Sequence, residues 1–175
     1  MIFFTADTHF TDPRVLRLDK RPFPDLATHD AALIEAWNAA VGEDDDVWHL
    51  GDFARGGADH KAALLGRLHG RKHLVLGNND DEATARAGGW ESVSAYREME
   101  LDGRKLVLCH YAFRTWNGSG KGALDLHGHS HGRLAPMTGQ YDVGVDVFRF
   151  RPVTLPEILV SRRRRAKRDE ISPKS

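Results

Sequence analysis

A chain of 175 residues, 41% of them hydrophobic and 29% charged, suits one globular domain with its own core and leaves little room for a second. Its single cysteine, Cys109, excludes an intramolecular disulfide and any thiolate-rich zinc site. The formal net charge of zero hides an asymmetry: seven Lys/Arg against two acidic residues from Ser161 onward leave a tail at +5 and a body at −5.

Met1 to Asp7 lacks the basic and apolar regions of a signal peptide, and no stretch has the length to span a bilayer, so a cytoplasmic protein is expected. Ile2 to Ala6 reads as a buried first strand ending in Asp7-Thr8-His9. The stripe Leu33, Ile34, Trp37, Val41 predicts a helix over about Asp30 to Val41, stopped by Gly42. Asp46 to Leu50 is a strand running into Gly51-Asp52. A second helix, over about Asp59 to His69, buries Leu64, Leu65 and Leu68, and the strand Lys72 to Leu76 then runs into Gly77-Asn78-Asn79-Asp80.

From Val93 the rhythm changes to strands with tight turns. Val93 to Leu101 leads through Asp102-Gly103, a hairpin signal, into Lys105 to Cys109 and His110. A glycine-rich loop, Asn117 to Gly122, precedes Leu124 to His127 and Gly128-His129-Ser130-His131, and a last strand pair is expected near Tyr141 to Phe148. Thr154-Leu155-Pro156-Glu157 has capping-box spacing and starts a C-terminal helix that nothing breaks before Pro173. The chain thus divides into a domain at 1–160 and a basic tail at 161–175, either a helical extension or disordered.

Residues that could bind metal sit just past the ends of these strands, where α/β folds place their ligand sites. Asp7 and His9 are two apart, so on extended backbone both point the same way, and His129 and His131 repeat the spacing. Asp52 and Asn78 each follow a glycine, and His110 ends a strand. Two carboxylates, one amide and four imidazoles are too many for one zinc-like ion and suit two ions sharing a carboxylate. In such sites, with ions about 3.5–4 Å apart, hydroxide attacks in line while both ions hold the phosphoryl oxygens. Nitrogen and oxygen ligation without thiolate suits Mn, Fe, Ni, Zn or Co, with manganese the expected ion.

In this order, Asp7-x-His9, Gly51-Asp52, Gly77-Asn78, His110 and Gly128-His129-x-His131 resemble the calcineurin-like metallophosphoesterase superfamily, in its compact stand-alone bacterial form. The resemblance implies an α/β, four-layer αββα sandwich of two mixed β-sheets flanked by helices. It also implies a first divalent ion on Asp7, His9, Asp52 and His131, a second on Asn78, His110 and His129, and Asp52 bridging. Asp52, Asn79 and His110 are the candidate catalytic residues.

One block departs from the family pattern: Gly77-Asn78-Asn79-Asp80 has Asn79 where a histidine is usual, so Asp80 loses the imidazole it would orient. An amide cannot act as a general acid but can donate a hydrogen bond to a phosphoryl oxygen. The expected activity is therefore phosphoester hydrolysis leaning to diesters, with His49, His73 or His127 as other proton sources, although hydrogen bonding or packing is the better reading of His49 and His127. The alternatives are a nuclease-like enzyme on nucleic-acid ends, docked weakly through Arg162 to Arg168, and a catalytically silent metal-binding scaffold. The loop Gly118 to Gly122 fails the P-loop pattern but could cover the site with Lys121 and Trp116. Asp146 is read as structural.

Overall fold

The computed structural model describes residues 1–161, so the run Arg162 to Arg168 lies outside the described residues. In chain order the elements are β1 (Ile2–Thr5), α1 (Arg14–Leu18), α2 (Leu26–Ala40), β2 (Asp46–His49), α3 (Ala58–Leu65), β3 (Arg71–Val75), α4 (Glu82–Arg86), β4 (Trp90–Ser94), β5 (Arg97–Leu101), β6 (Arg104–Leu108), a 3₁₀ turn (Ser119–Lys121), β7 (Leu124–His127), β8 (Gln140–Asp142) and β9 (Val153–Thr154). A last helix, α5, occupies residues 155–161. Two mixed sheets form, ordered β4-β3-β2-β1-β9 and β5-β6-β7-β8. The expected α/β architecture of two mixed sheets with flanking helices is present.

Alternation along the strands builds two cores. Phe3 pairs with Val47 and Phe4 with Trp48 in the parallel β1–β2 ladder. Phe3 and Val47 face α2 and α3 in a cluster with Leu33, Trp37, Leu64 and Leu65. Phe4 and Trp48 point the other way, into a cluster with Leu106, Leu108 and Leu126 of the second sheet, which Leu155 and Ile158 of α5 complete. The C-terminal helix starts where expected, with the reach-back half of the capping box formed: Thr154 N–H and Oγ1–H both donate to Glu157 Oε2, at 2.9 and 3.0 Å.

Three expectations about the elements are corrected. Helix α2 begins at Leu26 because Asp25 caps it, accepting the Thr28 N–H at 2.7 Å; the apolar stripe used to place its start begins later. The strand expected over Val93 to Leu101 is two strands, since β4 pairs parallel with β3 in one sheet and β5 pairs antiparallel with β6 in the other. The pair expected near Tyr141 to Phe148 is a three-residue strand followed by turns. Asp142 Oδ1 accepts the Gly144 N–H at 2.8 Å and bends the chain toward Ala6, where an isolated parallel bridge joins the two sheets.

No helix among the described residues is long and apolar enough to cross a membrane. The Asn117 to Gly122 loop lies over the outer face of the smaller sheet, with Trp116 Nε1–H on the Ala123 carbonyl at 2.9 Å and Lys121 beside the Asp102-Gly103 hairpin. It does not cover the strand-end cleft.

Candidate metal centre

The parallel strands β1, β2, β3, β6 and β7 all release their chains at one rim. There β1 and β2 stay hydrogen-bonded beyond their ends: Asp7 N–H donates to the Gly51 carbonyl at 2.9 Å and His9 N–H to that of Asp52 at 3.0 Å. This keeps the Asp7–His9 turn in register with the Asp52 turn.

The side chains converge by a different route from the one expected. Asp7, His9, Asp52, His129 and His131 have left-handed backbone, with φ of 58°, 49°, 61°, 65° and 48°. The two-residue spacing therefore works through turns, not through extended alternation. Such conformations cost a non-glycine residue about 1–3 kcal/mol, and their concentration at one rim marks a functional site. Gly51 turns with φ of 90°, and a Cβ on Gly77 would collide with Asp52 Oδ1. One glycine is needed for its backbone angle and the other for close approach.

All seven candidate residues meet here. Ligand atoms of Asp7, His9 and His131 lie within 4.8 Å of one another, and so do those of Asp7, Asp52 and His110. Asp52 Oδ2 is 3.5 Å from His9 Nε2 and 3.6 Å from His110 Nε2. Asn78 Oδ1 is 3.0 Å from His110 Nε2, and the His129 ring packs edge-on to that of His110 at 5.1 Å. A cleft of about 350 Å³ opens over them, lined by His9, Asp52, Asn78, His129 and His131, with Asp7 and His110 fully buried beneath.

The electrostatics fit divalent cations. Asp7 Oδ1 accepts the His129 N–H at 3.1 Å, whereas its buried Oδ2 has no hydrogen-bond partner among the described residues. Burial pushes this carboxyl well above its ordinary pKa, a cost that a cation would relieve. Burial likewise lowers His9 to about 4 and moves His129 downward, which keeps both imidazoles neutral and able to ligate. Burial raises Asp52 too, but the neighbouring His110 imidazole and the hydrogen bonds from Asn79 outweigh it and hold this carboxyl low.

Neighbours fix the ring orientations. His131 Nδ1 bonds Asp146 Oδ2 at 2.7 Å and His110 Nδ1 bonds the Leu50 carbonyl at 2.7 Å. With Nδ1–H donated in each case, the Nε2 lone pairs are left for a metal.

The three histidines considered as other proton sources lie outside the cleft, and His49 and His127 take the packing and hydrogen-bonding roles expected of them. His49 is buried, hydrogen-bonded to Thr8 Oγ1 and held at about 3 by burial, so it is a neutral core imidazole. His73 stacks on Trp48 at 4.4 Å, and His127 Nδ1–H donates to the Gly128 carbonyl at 2.8 Å. None of the three lines the cleft. Asp80 is not idle: it accepts the N–H groups of Asp52 (2.8 Å), Phe53 (3.0 Å) and Gly77 (2.8 Å) and so shapes two of the ligand turns. Asn79 lines the cleft but gives its amide to Asp52, with Nδ2 on Oδ2 at 2.6 Å and N–H on Oδ1 at 2.8 Å.

Sequence reasoning missed Arg21. Its fully buried guanidinium chelates Asp146 at 2.9 and 2.8 Å and holds the carbonyls of Asp7 and Thr8. Asp146, read as structural, thereby orients His131. Asp12, Arg14 and Arg133 at the cleft rim were also missed, because nothing local distinguishes them from surface charges.

With this geometry in view, the chain can be set beside known proteins. The model of the calcineurin-like phosphoesterase superfamily domain matches residues 1–144. This chain belongs to that superfamily. It is 36% identical to the Gene 66 protein of Mycobacterium phage L5, covering 83% of this chain and 86% of that one. To the Gene 66 protein of Mycobacterium phage D29 it is 32% identical, over 84% and 88%. Its fold resembles that of protein AQ665 from Aquifex aeolicus, with a TM-score of 0.72 over 90% of this chain and 97% of that one, at 21% identity. Membership of the calcineurin-like superfamily makes the chain a metal-dependent phosphoesterase in general terms.

Proposed function

We propose that the chain binds two divalent ions, manganese foremost, and hydrolyses phosphodiesters ahead of monoesters. Asp7, His9, Asp52 and His131 would hold one ion and Asn78, His110 and His129 the other, with Asp52 shared. The observation that carries the pairing is Asp52 Oδ2, which lies 3.5 Å from His9 Nε2 and 3.6 Å from His110 Nε2. Asp7 also lies in both close groups, but it is buried beneath the cleft whereas Asp52 lines it, which favours Asp52 as the shared carboxylate.

Bound there, two divalent ions supply Lewis acidity and activation of water at neutral pH. The chain's own residues orient and neutralise. Asn79 holds both Asp52 oxygens, and His110 sits beneath the cleft with Nε2 directed at Asn78 and Asp52. Among the described residues of the cleft, position 79 offers an amide in place of an acid that could protonate a leaving group. That favours diesters, which carry less charge, and leaving groups that depart unprotonated. The lone buried Cys109 fits a reducing cytoplasmic setting.

The test is a chromogenic diester and its matching monoester, assayed across Mn, Ni, Co, Zn and Mg with Asp52→Asn as the blank. Strong monoester preference sinks the diester reading, and full metal-dependent activity in Asp52→Asn sinks the site. Asn79→His should raise monoester turnover. A nuclease-like reading rests on Arg162 to Arg168. Deleting them should abolish a steep salt dependence on DNA or RNA and leave small diesters unaffected.

A further inference from the structure

Asn79 stands where a donor to the substrate was expected, yet its amide is engaged on both sides: Nδ2 on Asp52, and Oδ1 accepting from Arg14 Nη2 at 3.2 Å. The charged donor beside it at that edge of the cleft is the guanidinium of Arg14.

We propose that Arg14 binds a non-bridging phosphoryl oxygen of the substrate and selects phosphoesters whose leaving group departs without a proton from the enzyme. This rests on the phosphoesterase reading above.

Arg14 opens α1 and lines the cleft with its side chain 41% exposed. One edge of the guanidinium is pinned on buried Asp12, Nε to Oδ1 and Oδ2 at 3.0 and 2.9 Å and Nη2 to Oδ2 at 2.6 Å. The Arg14 backbone N–H also donates to Asp12 Oδ1, at 3.0 Å. Among the described residues Nη1 has no partner. A pinned guanidinium with a free donor, beside the residue that holds Asp52, is organised before substrate arrives, so little side-chain freedom is lost on binding.

The charge is also left over. Asp12 accepts a second guanidinium, Arg55 Nε at 3.0 Å, so two cations share one carboxylate and this rim keeps a net positive charge. A guanidinium adds that charge permanently and cannot give up a proton. It can therefore replace the electrostatic part of a missing imidazolium but not its acid part. This bounds the substrate class: anionic phosphoryl groups are held, and poor leaving groups are not helped.

Isothermal titration of orthophosphate into Mn-loaded protein tests this, with loading checked by metal analysis. Arg14→Ala should weaken orthophosphate roughly ten- to a hundredfold, as expected for a lost charged hydrogen bond. Metal content and melting temperature should hold, and added guanidinium ion should restore part of the affinity. Arg55→Ala strips the other guanidinium from Asp12, removes charge but no donor from the cleft, and should weaken orthophosphate only about two- to threefold. Equal losses in the two variants would mean that the effect runs through Asp12, which overturns the proposal, as does unchanged affinity in Arg14→Ala. Arg14-dependent binding in a protein that cleaves no ester upholds the site and sinks the activity. Hydrolysis and orthophosphate affinity both untouched by Arg14→Ala do the reverse.

Discussion

On one side of the cluster His131 leans on Asp146, Asp146 on Arg21, Arg21 on His29 and His29 on Asp30, each step between 2.7 and 2.9 Å. On the other side His110 leans on a single backbone carbonyl, that of Leu50, and the turns around it are shaped by Asp80. The first half is built from side-chain charge and reaches back to α2. The second is built from main chain and is local. A carboxylate makes the opposite ring nitrogen a stronger ligand than a carbonyl does, so the half backed by Asp146 should hold its ion more tightly. Under the proposed two-ion site, this asymmetry makes the two affinities unequal.

The largest effect should come from removing the carboxylate buried beneath both halves. Asp7 lies in both close groups, and Asp7→Ala should abolish stoichiometric metal uptake and lower turnover at least about a hundredfold, in line with losing a preorganised charge. Equilibrium dialysis with two ions still bound would contradict Asp7 as a ligand. Next in size is Asp80→Ala, which strands three backbone N–H groups on the main-chain half. It should cost about 3 kcal/mol in denaturant unfolding, whereas Asp80→Asn, which keeps an acceptor, should cost about 1 kcal/mol.

These two residues also mark the limit of what the sequence makes legible. Asp7 can be picked from its block because a carboxylate and an imidazole two apart at a strand end are rare enough together to signify. The convergence of that block cannot be read, because it depends on left-handed turns held by the neighbouring chain, and no glycine announces them. Asp80 looks orphaned when only residue types are compared, since its partners are backbone groups. Arg21 and Asp146 are 125 positions apart, and burial of both is what makes them a pair. The switch between sheets after Ser94 is likewise tertiary: nothing at Ala95-Tyr96 breaks a strand pattern, and only the ladders divide it.

The ionic half can be weakened alone. Asp146→Asn keeps the shape at His131 but removes the charge that raises this imidazole against burial. One ion should bind roughly ten- to a hundredfold more weakly while the other is unchanged, read as two separate phases in a metal titration. Equal weakening of both ions would dissolve the distinction between the halves.

The smallest expected effect lies outside both halves and serves as their reference. Lys61 of α3, buried, donates to Asp81 Oδ1 and Thr84 Oγ1, both at 2.7 Å, and Asp81 caps α4. The Lys61 hydrogen bond, followed by that of the Thr84 N–H, holds Asp81 down at about 2. A folded-state pKa below the unfolded value means that this carboxylate stabilises above about pH 4 and loses its contribution as pH falls toward 2. Asp81 is largely solvent-exposed, so Asp81→Asn in metal-free protein should cost at most about 1 kcal/mol at pH 6. Thermal unfolding from pH 6 downward should show the gap to wild type closing between 4 and 2. A gap that persists at pH 2 would assign the stabilisation to the cap's shape and not to its charge.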